Sequence, residues 1–359
     1  MASSRRAFLK QAVAGSAALA IPGYVQSQAR ADQSKAQTAI PRWRGFNLLD
    51  MFTMRSKGDW PEDDFRMIQD FGFDFVRFPT VYRLWIEDGD DYKIHEPMLE
   101  KLDRGIELAN KYGLHVSLNF HRGPGYSVNR EFTEPHSLWK DKSALDAFCF
   151  HWRLMAKRYK GISKDKLSFD LINEPPSLGS RMTRADHERV VRTTVAAIRE
   201  ISPDRLVVAD GISYGNLTAP ELADLGIAQS TRAYQPMFMS HYKASWVNGA
   251  NFPEPQWPGH GWDRKRLEAH YAKWADVARM GVGVHCGEGG AYNKTPHEPM
   301  LKWLRDVLEI LTGHNIGLAL WNFRGSFGIM DSDRQDVAYE DFHGHKLDRK
   351  LLALLQEFA

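Results

Sequence analysis

The chain has 359 residues, with 47 Lys and Arg against 45 Asp and Glu, for a formal net charge of +2. So even a balance gives no reason to expect a nucleic-acid partner. The two cysteines, Cys149 and Cys286, are too few for a disulfide framework and read as small buried apolar side chains.

The N-terminus reads Ser4-Arg5-Arg6-Ala7-Phe8-Leu9-Lys10, then a weakly apolar run over 12–21, then Ala29-Arg30-Ala31. Paired arginines, an h-region too short and too rich in Ala and Gly to span a bilayer, and Ala-x-Ala form a twin-arginine export signal, with the export machinery as its partner. An amphipathic helix would need an apolar stripe, which is not visible between Gly15 and Gln28. The expected division is a cleaved signal over 1–31, a flexible polar lead over 32–40 and one catalytic domain over 41–359. No other stretch approaches the ~20 apolar residues of a membrane helix. The mature protein is therefore expected in the periplasm or outside the cell, without stable membrane insertion.

Beyond the lead, short β-rich runs alternate with longer helical patterns. The strands are expected at 44–50, 73–79, 115–121, 167–173, 205–209, 238–242, 282–287 and 316–323. Helical periodicity fills 96–112, 144–159, 183–201, 263–280 and 299–312, and 346–358 closes the chain. The connection between strands five and six, near Pro220–Leu225, is the weakest helix. Eight such alternations in one uninterrupted domain predict an α/β fold, a single-domain (β/α)8 TIM barrel. A nucleotide-binding open sheet would want a Gly-rich turn after strand one, and Met51-Phe52-Thr53 stands there instead.

In a barrel, functional side chains gather at the C-terminal ends of the strands. Those ends carry Asn47, Asp50, Arg77, His121, Asn173, Glu174, Asp210, His241, Tyr242, Glu288 and Trp321. Charge is costly to bury unless it is paired, so this many polar groups at one mouth call for a functional explanation. Glu174 ends strand four and Glu288 ends strand seven, on opposite walls. Two such carboxylates are the minimum equipment for cleaving a glycosidic bond: one protonates the leaving oxygen and the other meets the anomeric carbon.

With these residues in place, the chain resembles glycoside hydrolase family 5, the cellulase-like barrels whose catalytic glutamates end strands four and seven. The resemblance rests on Phe75-Val76-Arg77-Phe78-Pro79, Asn119-Phe120-His121, Leu171-Ile172-Asn173-Glu174-Pro175, Gly287-Glu288-Gly289-Gly290 and Leu320-Trp321-Asn322-Phe323, and it covers essentially the whole mature chain. It implies a retaining hydrolase of a β-linked glucan, of the endo-β-1,4-glucanase kind, with Glu174 as acid/base and Glu288 as nucleophile. It further implies that Asn173 holds the sugar 2-hydroxyl and that Arg77 keeps the nucleophile ionised. Tyr242 would hydrogen-bond Glu288, His121 would line the subsite of the scissile sugar, and Trp321 would be its stacking floor. A β-mannanase, a β-1,3-glucanase, an exo-β-glucosidase or an envelope glucan transglycosylase would share these residues. A binding protein on a dead barrel would have lost a glutamate or Arg77, and all are present.

The family usually carries His-x-Tyr at the end of strand six, whereas Ser240-His241-Tyr242 sets the pair side by side, so alternation aims His241 away from Tyr242. Gly289 follows the nucleophile where the family most often has a bulky residue, which is expected to open space. Trp152, Trp274 and Trp303 lie in helical patterns and read as packing. Trp246, Trp257 and Trp262 fall in the long 243–263 connection and are candidates for further sugar-stacking subsites. Glu131 and Glu134, in the loop after strand three, read as solvated. Fourteen histidines make no zinc-like set, no Gly-x-Ser-x-Gly elbow is present, and no cofactor is expected.

Overall fold

The computed structural model describes residues 39–129 and 132–358. The expected export signal, the lead as far as 38, and Glu131 lie outside the described residues. Eight short strands carry the fold: β1 (Gly45–Asn47), β2 (Phe75–Val81), β3 (His115–Gly123), β4 (Leu167–Asp170), β5 (Val207–Asp210), β6 (Ala228–Ala233), β7 (Val284–Gly289) and β8 (Ala319–Leu320). Each pairs in parallel with its successor as far as β7, and β8 pairs with β1. The ring closes between β7 and β8 through a bridge from Cys286 to Leu318 and through Trp321 N–H, which donates to the Gly289 carbonyl at 2.7 Å. The expected (β/α)8 barrel is the architecture found.

Outside the ring stand α1 (Glu62–Asp70), α2 (Glu96–Lys111), α3 (Lys142–Arg158), α4 (Arg184–Arg199), α5 (Arg264–Arg279), α6 (His297–Gly313) and α7 (Arg349–Glu357). Their starts follow local chemistry. Thr183 and Asp186 close a reciprocal capping box on α4, and the Asp263 side chain accepts from Arg266 N–H on α5. In α2, Leu99, Leu102, Ile106 and Ala109 recur at helical spacing and are all buried against the barrel. Helix α1 was not among the expected elements, although Pro61 followed by Glu62, Asp63 and Asp64 is a fair start signal. The weak expectation near Pro220–Leu225 is a 3-10 helix.

One strand was misplaced. The sixth is Ala228–Ala233, and Met237–Ser240, which overlaps the start of the expected strand, is a helical turn. The true strand reads Ala-Gln-Ser-Thr-Arg-Ala, buried throughout, so hydrophobic periodicity could not mark it. Its polar groups find partners on other elements. Gln229 accepts from Ala219 N–H at 3.0 Å and donates to the Ala219 carbonyl at 2.7 Å, and the Thr231 hydroxyl donates to the Gly215 carbonyl at 3.1 Å.

Strand alternation stacks the barrel interior in layers. At the bottom, Trp43, Phe75, Leu206, Val208, Ala228 and Ala319 form an apolar plug, with the Trp43 ring stacked on His115 at 3.9 Å. Two residues higher on the same faces come Arg77, Asp170, Asp210 and Ser230, and above Ser230 comes Arg232. The site therefore rests on a buried ionic layer over a hydrophobic base.

Candidate active site

Arg77 lies at the centre of that layer, 1% exposed. Its guanidinium donates through Nε to Asp170 Oδ2 at 2.7 Å and through Nη1 to Glu288 Oε1 at 2.7 Å and Asn47 Oδ1 at 3.1 Å. Its Nη2 donates to Asn173 Oδ1 at 2.9 Å. A planar fork suits four acceptors at fixed angles, and pairing of this quality offsets the desolvation of a buried cation. Burial, then the charge of Asp210, push Asp170 up to about 7.

A second buried arginine, Arg232 on β6, mirrors the first. Its Nε donates to Glu174 Oε1 at 3.1 Å, its Nη1 to Asp210 Oδ1 at 3.1 Å, and its Nη2 to Asp210 Oδ2 and, at 2.9 Å, to Asn173 Oδ1. Glu288 Oε1 lies 3.4 Å from the same Nη2. Both glutamates thus lie against one guanidinium, within 3.4 Å of it.

Glu174 follows the end of β4 with φ of 50°, in the left-handed region where a side chain is strained. Two bonds hold it there: its N–H donates to Asp210 Oδ2 at 2.9 Å, and its carbonyl accepts from Tyr126 Oη at 2.6 Å. Its side chain is 16% exposed. Burial, and then the charge of Glu288, raise its pKa to about 8, while Arg232 pulls the other way. Such a carboxyl keeps its proton at neutral pH.

Glu288 Oε2 accepts from Tyr234 Oη at 3.0 Å. Burial, then the charge of Glu288, push that phenol well above its ordinary value, so it remains a donor. The hydroxyl on Glu288 therefore belongs to Tyr234 and not to Tyr242, which lies beyond the helical turn with Lys243 over its ring. This corrects the strand-six reading: Arg232-Ala233-Tyr234 occupies the end of β6 with the x-Tyr spacing intact. His241 is buried behind Tyr234, its ring edge-on to the phenol at 4.9 Å and its Nδ1 2.7 Å from Ser240 Oγ.

The remaining expected residues converge. Because the two arginines take Asn173 Oδ1, its Nδ2 faces His121 Nε2 at 3.3 Å. Burial, then the charges of Arg122, Arg77 and Arg232, push the His121 pKa well down, so the ring is neutral and carries its proton on Nδ1. Trp321 stacks on His121 at 5.4 Å, and Phe52, which the sequence reading passed over, stands edge-on to both rings at 4.8 and 5.3 Å. Gly289 opens no space: a Cβ there would lie 2.7 Å from Ala233 Cβ and 2.8 Å from Leu318 Cδ1, so barrel packing demands glycine.

The outer tryptophans separate. Trp246 is 56% exposed, edge-on to Tyr292 at 4.8 Å and to His241 at 6.0 Å, on a path of rings that leads through Tyr234 to Glu288. Trp257 is buried and donates to Asp306 of α6 at 2.8 Å, which removes it as a sugar platform. Trp262 packs under Arg266 of α5, 4.3 Å over its ring. Glu134 is not a solvated spare: it accepts from Tyr82 Oη at 3.1 Å and from Gly125 N–H at 3.0 Å and so ties down the loop after β3. Cys149 and Cys286 are free and buried. Among the described residues no cluster of His, Cys, Asp and Glu suits a metal, and no helix is long and apolar enough to cross a membrane.

Two carboxyl groups at the mouth of a (β/α)8 barrel, one holding its proton and the other held by an arginine and a tyrosine, define a glycoside hydrolase site. The Cellulase family, glycosyl hydrolase family 5, matches residues 31–326, and the chain belongs to it. Endoglucanase C of Acetivibrio thermocellus is 27% identical over 310 residues, covering 78% of this chain and 88% of its own. Cellodextrinase A of Ruminococcus flavefaciens is 27% identical over 270 residues, covering 71% and 76%. A solved structure of a glycoside hydrolase is 41% identical with a TM-score of 0.85, covering 88% of this chain and 99% of its own. Thermotoga maritima Cel5A, solved with cellobiose, is 23% identical with a TM-score of 0.72, covering 90% and 99%, and shares the fold.

Proposed function

We propose that the protein is a retaining, endo-acting β-1,4-glucanase in which Glu288 is the nucleophile and Glu174 the acid/base. The observation that carries the roles is the asymmetry between the two carboxyls. Glu288 accepts from Arg77 and Tyr234, while Glu174 is held at about 8 by burial and by the charge of Glu288. In the first step a Glu288 oxygen attacks the anomeric carbon while Glu174 gives its proton to the departing glycosidic oxygen. Esterification then removes the charge that raised Glu174, so Glu174 can accept a proton from the water that cleaves the ester. Asn173, aimed by two arginines, holds the 2-hydroxyl, His121 lines the subsite behind the Asn173 amide, and Trp321 lies beneath the sugar.

The glucan is read from relatives named endoglucanase and cellodextrinase. The paired arginines of Ser4-Arg5-Arg6 and Ala29-Arg30-Ala31 support twin-arginine export to the periplasm or beyond, with 41–359 as the catalytic domain.

Two variants test the roles. Glu288→Ala and Glu174→Ala each abolish release of reducing ends from a soluble β-1,4-glucan. Azide restores turnover of an activated aryl cellobioside in both, with an inverted glycosyl azide from the first and a retained one from the second. Ordinary turnover by either variant would overturn the assignment. Product sizing on glucan, mannan and β-1,3-glucan, with a search for elongated products at high substrate, tests substrate and transfer.

A further inference from the structure

Where the family usually carries histidine on strand six, this chain carries Arg232, and its surroundings are shaped to that side chain. A Cβ on Gly215 would lie 2.5 Å from Arg232 Cγ, and one on Gly287 would lie 3.2 Å from Arg232 Nη1. Besides its contacts to the glutamates, Asp210 and Asn173, Arg232 donates to Ser230 Oγ at 2.9 Å and to the Thr231 carbonyl at 3.0 Å. An imidazole has two nitrogens and could not make this set.

The bonds form a closed loop. Asp210 accepts from the Glu174 main chain and from Arg232, and Arg232 in turn donates to the Glu174 side chain. One Asp–Arg pair thereby fixes both the strained backbone of Glu174 and the direction of its carboxyl. We propose that Arg232 is a positioning residue for the acid/base: it locks Glu174 toward the scissile bond and, by its permanent charge, sets the upper end of the pH range in which the enzyme works. This rests on the reading of Glu174 as the acid/base.

The charged and titratable groups facing Glu174 or Arg232 are Arg77 on β2, His121 on β3 with Tyr126 beyond it, Asp170 on β4, Asp210 on β5, Tyr234 just past the end of β6, and Glu288 on β7. Burial, Glu288 and Asp210 favour the neutral acid, and Arg232 opposes them. Once Glu288 is esterified, Arg232 becomes the dominant neighbouring charge, so it also favours the carboxylate that must activate water.

The test is the pH profile of kcat/KM on a soluble β-glucan for Arg232→His, Arg232→Gln and Arg232→Lys. In the His and Gln variants the alkaline limb moves up by about one pH unit. The Lys variant keeps the limb and loses kcat, since it has the charge without the fork. A limb unmoved in the folded His and Gln variants would overturn the proposal. Should these fail to fold, Arg232→Gln with Asp210→Asn removes cation and nearest anion together, and because Arg232 outweighs Asp210 at Glu174 a smaller upward movement is required of it. The Glu174→Ala azide product separates the two readings. A retained azide with an unmoved limb sinks only the role of Arg232, whereas ordinary polysaccharide turnover by that variant sinks the acid/base reading itself.

Discussion

Replacing Arg77 by lysine keeps a positive charge in the barrel and removes the fork. The guanidinium serves Asp170, Glu288, Asn47 and Asn173 at 2.7 to 3.1 Å. An ammonium at that depth reaches one of the two carboxylates well and leaves the other short of a partner. Losing one charge-assisted bond costs about 1.5–3 kcal/mol, and each amide acceptor adds roughly 0.5–1.5. The expected destabilisation is therefore about 3 kcal/mol or more, seen in calorimetry as a fall in Tm of about 2 °C per kcal/mol for a chain of this size. If the ammonium goes to Asp170, Glu288 loses its closest donor, and kcat on an aryl cellobioside falls about 10- to 150-fold. If it goes to Glu288, the rate holds and the stability loss remains. A variant with Tm within about 1 °C of the parent and an unchanged rate would refute the claim that this fork organises the site.

The pH dependence follows from Glu174, whose proton must be present to assist departure of the leaving group. kcat/KM therefore falls as pH rises through about 8, and an alkaline limb near the ordinary carboxylate range would contradict that. Because the folded pKa lies above the unfolded one, the folded state loses stability between about 4.5 and about 8, so Glu174→Gln gains relative stability as pH rises through that window in thermal melts. Tyr234→Phe removes the phenol on Glu288 and lowers kcat/KM about 10- to 150-fold, whereas Tyr242→Phe stays within about twofold, and equal effects would void the strand-six correction. Trp257→Ala costs about 3–5 kcal/mol of stability with KM unchanged. Trp246→Ala leaves stability within about 0.5 kcal/mol and raises KM for long glucans more than for aryl cellobiosides; an unchanged KM would remove it as a subsite.

Much of the site was legible because its residues sit in short motifs at strand ends. Arg77, His121, Asn173, Glu174, Glu288 and Trp321 each follow or close an apolar run that marks a strand, and each is found where the reading put it. Arg232 and Tyr234 were not found, because the strand that carries them has no such run. The apolar stretch nearby, with a His and a Tyr in it, drew the reading downstream to 238–242. The surviving clue was the x-Tyr spacing of Arg232-Ala233-Tyr234. Trp257 and Trp246 illustrate the same limit: both lie in one polar loop, and only packing against α6 separates a buried anchor from an exposed ring.

The amino-acid sequence was enough to specify the architecture and the placing of Glu174 and Glu288 at the barrel mouth, because strand alternation and strand-end chemistry are local and periodic. The tertiary structure alone decided which residue stands on strand six and that one guanidinium, Arg232, joins both glutamates to Asp210. The physical reason is that a buried polar strand is stabilised by partners far away in sequence. Its place is written in the loops and strands around it and not in its own pattern of residues.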